Sequence, residues 1–184
     1  MVPATSQDGG VDDLTRLALA AASGDRVALT AFVRRSQGEV WRLCAHLVDR
    51  DSADDVTQDV YVRAIRSLPS FQATSSARTW LLSIARHTCS DALRSRVRRR
   101  TLQRRLTLGH RDATVDPSAV VDLAGLLPAL EADRREAFVL TQIVGLSYAE
   151  AAEVCGCALG TIRSRVARAR AELIAAAGGV AAAE

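Results

Sequence analysis

The sequence predicts an all-α protein with two small helical domains joined by a flexible basic linker. Apolar residues recur at helical spacing in almost every periodic segment, as they do at Val56, Val60 and Ala64. No stretch predicts a strand convincingly, and between about residues 97 and 121 the periodicity gives way to Arg, Gly and Pro. We place the domains at residues 12–98 and 121–176, and the linker at residues 99–120. The start of the stretch without periodicity is interpreted as a helix tail that runs into the flexible linker.

The first three predicted helices follow one another closely in the N-terminal domain. The first begins at Asp13, its predicted cap, and the second carries an apolar stripe from Leu29 to Val48. The third begins after Asp51 or Ser52, since either side chain can cap it. These helices supply most of the predicted core of the domain.

A loop and a fourth helix complete the N-terminal domain. The loop "LPSFQATSS" contains Pro69 and a run of small polar residues, which is typical of irregular structure. On the helix that follows, Trp80, Ile84 and Thr88 share one side. We therefore expect Trp80 to belong to the core.

Charge is distributed in alternating acidic and basic blocks along the chain. The formal net charge is only +3, and all 24 basic side chains are Arg. Residues 63–111 nevertheless carry 12 Arg against one Asp, a balance of +11. A basic block of this density can bind a polyanion such as nucleic acid.

The sequence also favours a cytoplasmic protein without membrane insertion. No leading segment has the pattern of a secretory signal, and the alanine-rich apolar runs are too short and too weakly apolar to span a bilayer. The four cysteines fit a reducing compartment as free thiols better than they fit a disulfide framework.

The C-terminal segment "GLSYAEAAEVCGCALGTIRSRVARARAEL" has the pattern of a helix-turn-helix. Ser147 can cap a short helix, Gly156 supplies the turn, and the next helix begins near Leu159. One stripe of that helix is apolar and predicts contact with the rest of the domain. The stripe consists of Leu159, Ile162, Val166, Ala169 and Leu173.

Polar side chains occupy the rest of this second helix. Thr161, Ser164 and Arg168 point away from the apolar stripe, and Arg163 and Arg165 lie on its flanks. Such a helix can place hydrogen-bond donors against base edges and phosphates in the major groove. The alternative is an amphipathic surface helix whose arginines are solvated.

Cys155 and Cys157, at the turn, admit two interpretations. Two thiolates one residue apart make a poor zinc site without two further ligands, and no other Cys or His lies nearby in sequence. Small buried side chains that pack in the corner are the favoured interpretation. We therefore predict neither a metal site nor a cofactor.

Two segments resemble bacterial sigma factors of the extracytoplasmic-function (ECF, group IV) kind in the sigma-70 family. The helix-turn-helix resembles region 4 of that family, and "SADDVTQDVYVRAIRSLPSFQATSSARTWLLSIARHTCSDALR" resembles region 2. The resemblance implies that the chain binds core RNA polymerase and directs it to specific promoters through −10 and −35 elements. It implies no catalytic activity, and it makes an anti-sigma factor a candidate partner.

The resemblance assigns a polymerase-binding role to Asp54, Asp55, Gln58 and Asp59, which match the positions that dock on the clamp helices. Considered alone, Asp54 and Asp55 also favour the positive end of a helix dipole. Neighbouring carboxylates can hold Mg²⁺, but such a site usually needs phosphate or further oxygen ligands.

The resemblance assigns contact with unstacked bases of the −10 element to Phe71, Ser75, Ser76 and His87. Planar side chains suit this task because every base offers a face for stacking. Many members of the family have Asn where this chain has His87, and an amide makes paired base contacts that an imidazole does not make. The alternative for His87 is a polar residue on the helix surface.

Arg163, Ser164 and Arg168 match positions that contact the −35 element in the family. Thr161 lies on the same polar face, and Arg165 fits a phosphate contact or exposure to solvent. Thr141 and Gln142 replace an Arg-Glu pair that is frequent in the family.

A second hypothesis is a free-standing helix-turn-helix regulator, and a third is a DNA-processing enzyme such as a recombinase, which would need a nucleophile or a set of metal-binding carboxylates.

Overall fold

The computed structural model describes residues 12–106 and 123–181, with side chains described for residues 12–99 and 125–177. Within those ranges the chain forms helices and turns and contains no strand, which confirms the predicted all-α class. The N-terminal half contains α1 (Asp13–Ala22), α2 (Arg26–Leu47), α3 (Ala53–Ser67) and α4 (Ala77–Leu106). The C-terminal half contains α5 (Leu123–Leu126), α6 (Ala132–Phe138), α7 (Tyr148–Cys155) and α8 (Leu159–Ala181).

Short tight turns connect several of these helices. A 3₁₀ turn at Leu68–Ser70 follows α3, and another at Leu127–Ala129 follows α5. A π-helical turn at Val139–Ile143 continues α6, and its wider spacing is visible where the Val144 N–H donates to the Val139 carbonyl over 2.9 Å. This turn delivers the chain to α7.

The predicted linker at residues 99–120 begins inside a helix. The Arg-rich end of α4 extends through Leu106, although it has no sustained apolar face, so the first residues of the predicted linker are helical. The prediction of a flexible segment for residues 107–120 lies outside the described residues.

The first helix is capped one residue earlier than the sequence predicts. Asp12, not Asp13, is the N-cap of α1, and its carboxylate accepts from the Thr15 N–H over 2.9 Å. The Thr15 hydroxyl also donates to Asp12 and accepts from the buried N–H of Ala77, each over 2.7 Å. Since Ala77 begins α4, this hydroxyl joins the start of α1 to the start of α4.

Helices α1 to α4 enclose the core of the N-terminal half. Its largest fully buried side chains lie on α2 and α4, while α3 contributes smaller ones. Trp80 is half-buried against this core, as predicted, and its ring centroid lies 4.9 Å from that of Phe71. The fully buried set includes Phe32, Val40, Leu43, Val60, Leu81 and Leu82.

The two halves pack against each other and share one continuous set of buried apolar side chains. Arg86 on α4 donates to Glu136 on α6 over 2.7 Å, and both side chains are mostly buried. Arg78 on α4 donates to Glu39 on α2 over 2.9 Å and to the Val144 carbonyl over 3.1 Å. Two arginines of α4 therefore hold the C-terminal half in place.

No helix in the described part of the chain is long and apolar enough to cross a membrane.

Candidate nucleic-acid interface

The helix-turn-helix is formed as the sequence predicts. Ser147 caps α7 by accepting from the Glu150 N–H over 3.2 Å, and the Glu150 carboxylate accepts from the Ser147 N–H over 2.8 Å. This reciprocal capping box fixes the first turn of α7. Gly156 ends α7 with φ 62° and ψ 38°, the left-handed conformation that Gly adopts without a steric penalty. The chain is thereby redirected into α8.

The apolar side of α8 packs into the domain over most of its length. Ile162, Val166, Ala169 and Leu173 are buried, as the predicted stripe requires. Leu159 is the exception, because it is 39% exposed at the first position of the helix, where the turn leaves its side chain uncovered. The anchored side begins at Ile162, one turn later than predicted.

The opposite side of α8 presents donors to solvent. Arg163, Ser164 and Arg168 are exposed, and Thr161 is half-buried beside them. The Ser164 hydroxyl donates to the Thr161 carbonyl over 2.9 Å. Behind α8, Ala151 and Ala152 of α7 are buried and allow the two helices to approach closely. A rigid helix with one free polar face is what major-groove recognition needs.

Two other arginines of α8 are held by the protein itself. Arg165, predicted as a DNA contact, forms an ion pair with Asp133 of α6 and a weak contact of 3.9 Å with the Cys157 sulfur. Arg170 donates to the Gln142 side chain over 2.6 Å. Both contacts brace α8 against the preceding helices, so these guanidinium groups are less available to DNA than Arg163 and Arg168.

Thr141 and Gln142 have structural partners. Thr141 is buried, and its hydroxyl donates to the Ala137 carbonyl over 2.7 Å. The Gln142 side chain accepts from Arg170. The replacement of a charged pair at these positions thus leaves side chains that stabilise the turn between α6 and α7.

The Cys155 and Cys157 thiols are half-buried against the core at the turn, in line with the packing interpretation. Burial raises the pKa of Cys155 to about 11, so its thiol is neutral at physiological pH. Among the side chains described, no group of three or more His, Cys, Asp and Glu is placed to hold a metal ion.

The aromatic residue at the start of the loop before α4 is buried. Phe71 is only 9% exposed and packs against Trp80, so its ring is part of the core and is not presented to solvent for stacking on a base. The predicted role in base stacking needs an exposed ring, so the buried position of Phe71 differs from the prediction. The sequence could not distinguish a buried ring from an exposed one, because it shows an aromatic residue in a polar loop without showing which side of the loop faces Trp80. Ala73, at the tip, has a φ of 53°, which is uncommon for a residue other than Gly.

The serines and the histidine differ in their availability. Ser76 caps α4, because its hydroxyl oxygen accepts from the Thr79 N–H over 3.1 Å. Ser75 is half-buried near the end of the loop before α4. His87 is exposed on α4, about three turns after the start of that helix. Ser75 and His87 therefore remain accessible, whereas Ser76 already supports the helix.

The four predicted polymerase-binding side chains share the exposed side of α3. Asp54, Asp55, Gln58 and Asp59 all face solvent, and the Asp54 carboxylate accepts from the Trp41 indole N–H over 2.7 Å. This contact ties one end of the acidic face to α2. Opposite lies the buried side of α3, which consists of Ala53, Val56, Val60 and Ala64.

Two apolar residues extend this acidic face and were missed by sequence reasoning. Val62 and Ile65 are 47% and 43% exposed on α3. With Gln58 they follow a spacing of four and then three residues, which places all three on one side of the helix. The signal was present, since both lie off the stripe that predicts the core, and exposed apolar residues beside a charged face are typical of an interaction surface.

A cleft separates the loop before α4 from α7. Ser75 and Ser76 line one wall, together with Thr79 and Ser83 of α4, and Glu150 and Glu153 line the other. Glu150 also approaches Arg78 to 3.8 Å. Two carboxylates of the C-terminal half thus lie across from the side chains predicted to receive the −10 element.

Two family models match the chain. Residues 32–99 match Sigma-70 region 2, and residues 121–173 match Sigma-70, region 4. The match to region 2 includes the acidic face of α3, and the match to region 4 includes the helix-turn-helix.

Individual proteins extend the likeness over nearly the whole chain. The ECF RNA polymerase sigma factor SigC of Mycobacterium tuberculosis and the probable RNA polymerase sigma-C factor of Mycobacterium bovis are each 50% identical over 177 residues, covering 94% of this chain and 94% of theirs. Among solved structures, CnrH in complex with the cytosolic domain of CnrY is similar with a TM-score of 0.70 and 30% identity, over 91% of this chain and 99% of that one. The sigma factor RpoE in complex with the anti-sigma factor NepR, from Bartonella quintana, gives a TM-score of 0.65 and 31% identity over 79% of this chain and 93% of that one.

Proposed function

The chain belongs to the ECF sigma factors of the sigma-70 family, which direct core RNA polymerase to promoters, and we propose a specific division of this task among its surfaces. Residues 12–98 bind the polymerase and the −10 element, and residues 121–176 read the −35 element. The observation that carries the proposal is the free polar face of α8, anchored on its other side by four buried residues.

The −35 element is read by α8 in the major groove. Arg163 and Arg168 are exposed, and a guanidinium group can donate two hydrogen bonds to the O6 and N7 atoms of a guanine. Thr161 supplies a shorter hydroxyl group on the same face, and the Ser164 hydroxyl, which donates to the Thr161 carbonyl, can still accept a hydrogen bond. Arg165 orients the helix through Asp133 and makes at most a phosphate contact. Base recognition is thus concentrated on two arginines.

The −10 element is received between the loop before α4 and the exposed side of α4. Ser75 and His87 are the accessible groups, and His87 offers an imidazole that can stack or donate a single hydrogen bond. Ser76 fixes the end of the loop as the N-cap of α4. Phe71 fixes the start of the loop, because its ring packs against Trp80. Phe71 itself stacks on a base only if the loop moves away from Trp80.

The polymerase binds the exposed side of α3. Asp55, Gln58 and Asp59 provide charge and hydrogen-bond acceptors, and Val62 and Ile65 provide an apolar extension at the C-terminal end. Charged groups of this kind steer association and fix orientation, while the apolar residues contribute buried area.

Binding of DNA at both elements requires the two halves to separate. Glu150 and Glu153 line the cleft that faces Ser75 and Ser76, and their charge repels a phosphate backbone entering there. The ion pair between Arg86 and Glu136 has to open for α7 to move away from α4. An anti-sigma factor is a candidate partner that controls this separation, since the similar RpoE was solved with the anti-sigma factor NepR.

The chain acts without catalysis of its own and without a cofactor. Sigma factors are transcription initiation factors, and the polymerase carries the chemistry of RNA synthesis. The match to region 2, in addition to region 4, supports this role over that of a free-standing helix-turn-helix regulator, which has no use for the acidic face of α3.

The assignment is tested by mapping transcript 5′ ends on fragmented genomic DNA with core polymerase and two variants. With Arg168→Ala, we expect a relaxed base preference in the upstream element alone. With His87→Asn, we expect a changed base preference in the −10 element alone. If Arg168→Ala alters the −10 preference, or if neither variant alters any preference, the proposed division between the surfaces is wrong.

A further inference from the structure

Two buried thiols lie in direct contact in the N-terminal half. Cys44 on α2 and Cys89 on α4 are 0% and 1% exposed, and their sulfur atoms are 3.7 Å apart. The Cys89 thiol donates a weak hydrogen bond to the Cys44 sulfur. Neither residue belongs to the DNA-binding or polymerase-binding surfaces, so their contact has no part in the proposed function.

The surroundings make the two sulfur atoms chemically different. The hydrogen bond from Cys89 is the main cause that lowers the pKa of Cys44 despite burial. The same contact with Cys44, together with burial, raises the pKa of Cys89. Cys44 is therefore the sulfur more readily converted to a thiolate, which is the nucleophilic form.

We propose that Cys44 and Cys89 form a reversible intramolecular disulfide when a hydroperoxide oxidises the protein, joining α2 covalently to α4. The sulfur contact of 3.7 Å supports this pairing, since a small approach of the two side chains brings the atoms to bonding distance. The closed loop contains α3 and the segment from Phe71 to Ser76, so one bond constrains most of the N-terminal half.

The reaction proceeds in two balanced steps. The Cys44 thiolate attacks one oxygen of the hydroperoxide, the O–O bond breaks, and Cys44 becomes a sulfenic acid as the second oxygen leaves as hydroxide or alkoxide. The Cys89 sulfur then attacks the Cys44 sulfur, the S–O bond breaks, and the proton of Cys89 leaves with the hydroxyl group as water. Two electrons pass from the pair of thiols to the peroxide, which is reduced.

Burial sets the rate and the product. Peroxide reaches the pair only when α2 and α4 open locally, so oxidation is slower than that of an exposed thiol. Once Cys44 is oxidised, contact with Cys89 favours the disulfide over a second attack by peroxide, which would give the sulfinic acid. A dithiol reductant reverses the bond by thiol–disulfide exchange.

The test uses the full chain carrying Cys155→Ser and Cys157→Ser, in which Cys44 and Cys89 are the only cysteines left. The folded protein is treated with hydrogen peroxide, denatured with a maleimide present, and mapped by peptide mass spectrometry. We expect loss of both maleimide-reactive thiols, one linked pair of peptides within a monomer, and recovery of both thiols after treatment with dithiothreitol. Two free thiols, a sulfinic acid at Cys44 or a dimer linked between chains would each overturn the proposal.

A second measurement tests whether the bond forms within the folded domain. The oxidised protein is expected to melt at a higher temperature than the reduced protein, because the disulfide restricts the unfolded chain. The matched control Cys44→Ala, in the same background, is expected to show no such shift after peroxide treatment. An unchanged or lower melting temperature of the linked protein would mean that the native packing of α2 and α4 does not accommodate the bond. If the serine variants fold poorly, peptide mapping of the unsubstituted chain determines the pairing in their place.

Discussion

Single residues of the same type have different roles on α8 because their contacts differ. Arg168 is exposed, whereas Arg170, two positions later, donates to Gln142 over 2.6 Å and Arg165 is paired with Asp133. A guanidinium group that is already bound must exchange that partner for DNA, which reduces the net gain on binding. We therefore expect DNA recognition to depend on which arginines lack an internal partner more than on how many arginines there are.

Arg168→Ala is expected to weaken binding of the polymerase holoenzyme to its promoter by about 1–3 kcal/mol if the guanidinium contacts a base. Arg170→Ala is the matched control, because it removes the same charge two positions further along the same helix, where the guanidinium group is already bound to Gln142. We expect it to change promoter affinity by less than half as much. Equal losses for the two variants, measured by titration of labelled promoter DNA, would point to a general charge effect on α8.

A second residue-level prediction concerns Asp49, whose carboxylate joins the turn before α3 to Arg96 of α4. The hydrogen bond from Arg96 lowers the pKa of Asp49 below its usual value, so folding is stabilised above the pKa of the unfolded chain, and the stabilisation is lost as the pH falls through the lower pKa of the folded state. Both side chains are more than a third exposed, so Asp49→Asn is expected to lower the free energy of unfolding by only about 0.5 kcal/mol near neutral pH.

Urea unfolding of Asp49→Asn and the unsubstituted chain at a series of pH values checks this expectation. The difference between the two proteins should shrink as the pH is lowered into the acidic range. A difference that stays constant, or that grows toward acidic pH, would contradict the role of the carboxylate charge.

At the scale of elements, α3 has two sides with separate tasks. Its buried side holds small apolar residues between α2 and α4, and its exposed side combines three aspartates with Gln58, Val62 and Ile65. The buried side fixes the angle of the helix, so the exposed side is presented as a rigid surface. A preformed surface loses little conformational entropy on binding.

The double substitution Asp55→Asn with Asp59→Asn is expected to weaken binding to core polymerase by roughly tenfold, because it removes two charges from the rim of the interface with little change in shape. Asp13→Asn is the matched control, since Asp13 is an exposed carboxylate on α1 that forms only surface ion pairs. Fluorescence titration of labelled protein with core polymerase measures both. Similar affinities for the double variant and the control would remove α3 from the polymerase interface.

The Ser147→Ala substitution tests the helix-turn-helix as an element. It removes the hydroxyl that accepts from the Glu150 N–H at the start of α7. We expect the free energy of unfolding to fall by about 1 kcal/mol, as is typical of a lost N-cap. Chemical denaturation measures the change, and Ser147→Thr, which retains the hydroxyl, should recover most of it. If Ser147→Thr is as destabilised as Ser147→Ala, the capping bond does not carry the effect.

The sequence predicts elements better than it predicts contacts. The Ser147 cap, the Gly156 turn and most of the α8 stripe follow from local chemistry, which a single segment of sequence contains. The burial of Phe71 and the pairing of Arg165 depend on residues distant in sequence, Trp80 and Asp133. Likewise, the ion pair between Glu136 and Arg86 joins the two halves of the chain, and neither sequence pattern predicts that the halves are in contact.

At the scale of the whole molecule, we expect the packing of the two halves to govern access to the proposed −10 surface. Arg86 and Glu136 form the most buried ion pair between the halves in the described part of the chain, and Ser90 adds a weaker contact of 3.4 Å to the same carboxylate. Removing one charge of such a pair leaves the other charge buried without its partner, which costs more than an exposed pair contributes. The interface between the halves is therefore sensitive to a single substitution.

Glu136→Gln is expected to weaken the association of the halves by about 1–3 kcal/mol and to increase the radius of gyration of the free protein. Asp91→Asn is the control, because Asp91 pairs with Arg63 and Arg94 at exposed positions inside the N-terminal half. Small-angle X-ray scattering compares the two variants with the unsubstituted chain. An unchanged radius for Glu136→Gln, at unchanged helix content, would show that other contacts suffice to hold the halves together.

The most direct test of the central claim is transcription in vitro from fragmented genomic DNA, with sigma-free core RNA polymerase and the purified chain, followed by mapping of transcript 5′ ends. We expect specific start sites that depend on the chain and share two spaced upstream elements. If no start sites depend on the chain while the chain alone binds duplex DNA tightly, the promoter-recognition role is contradicted, and a free-standing DNA-binding regulator takes its place.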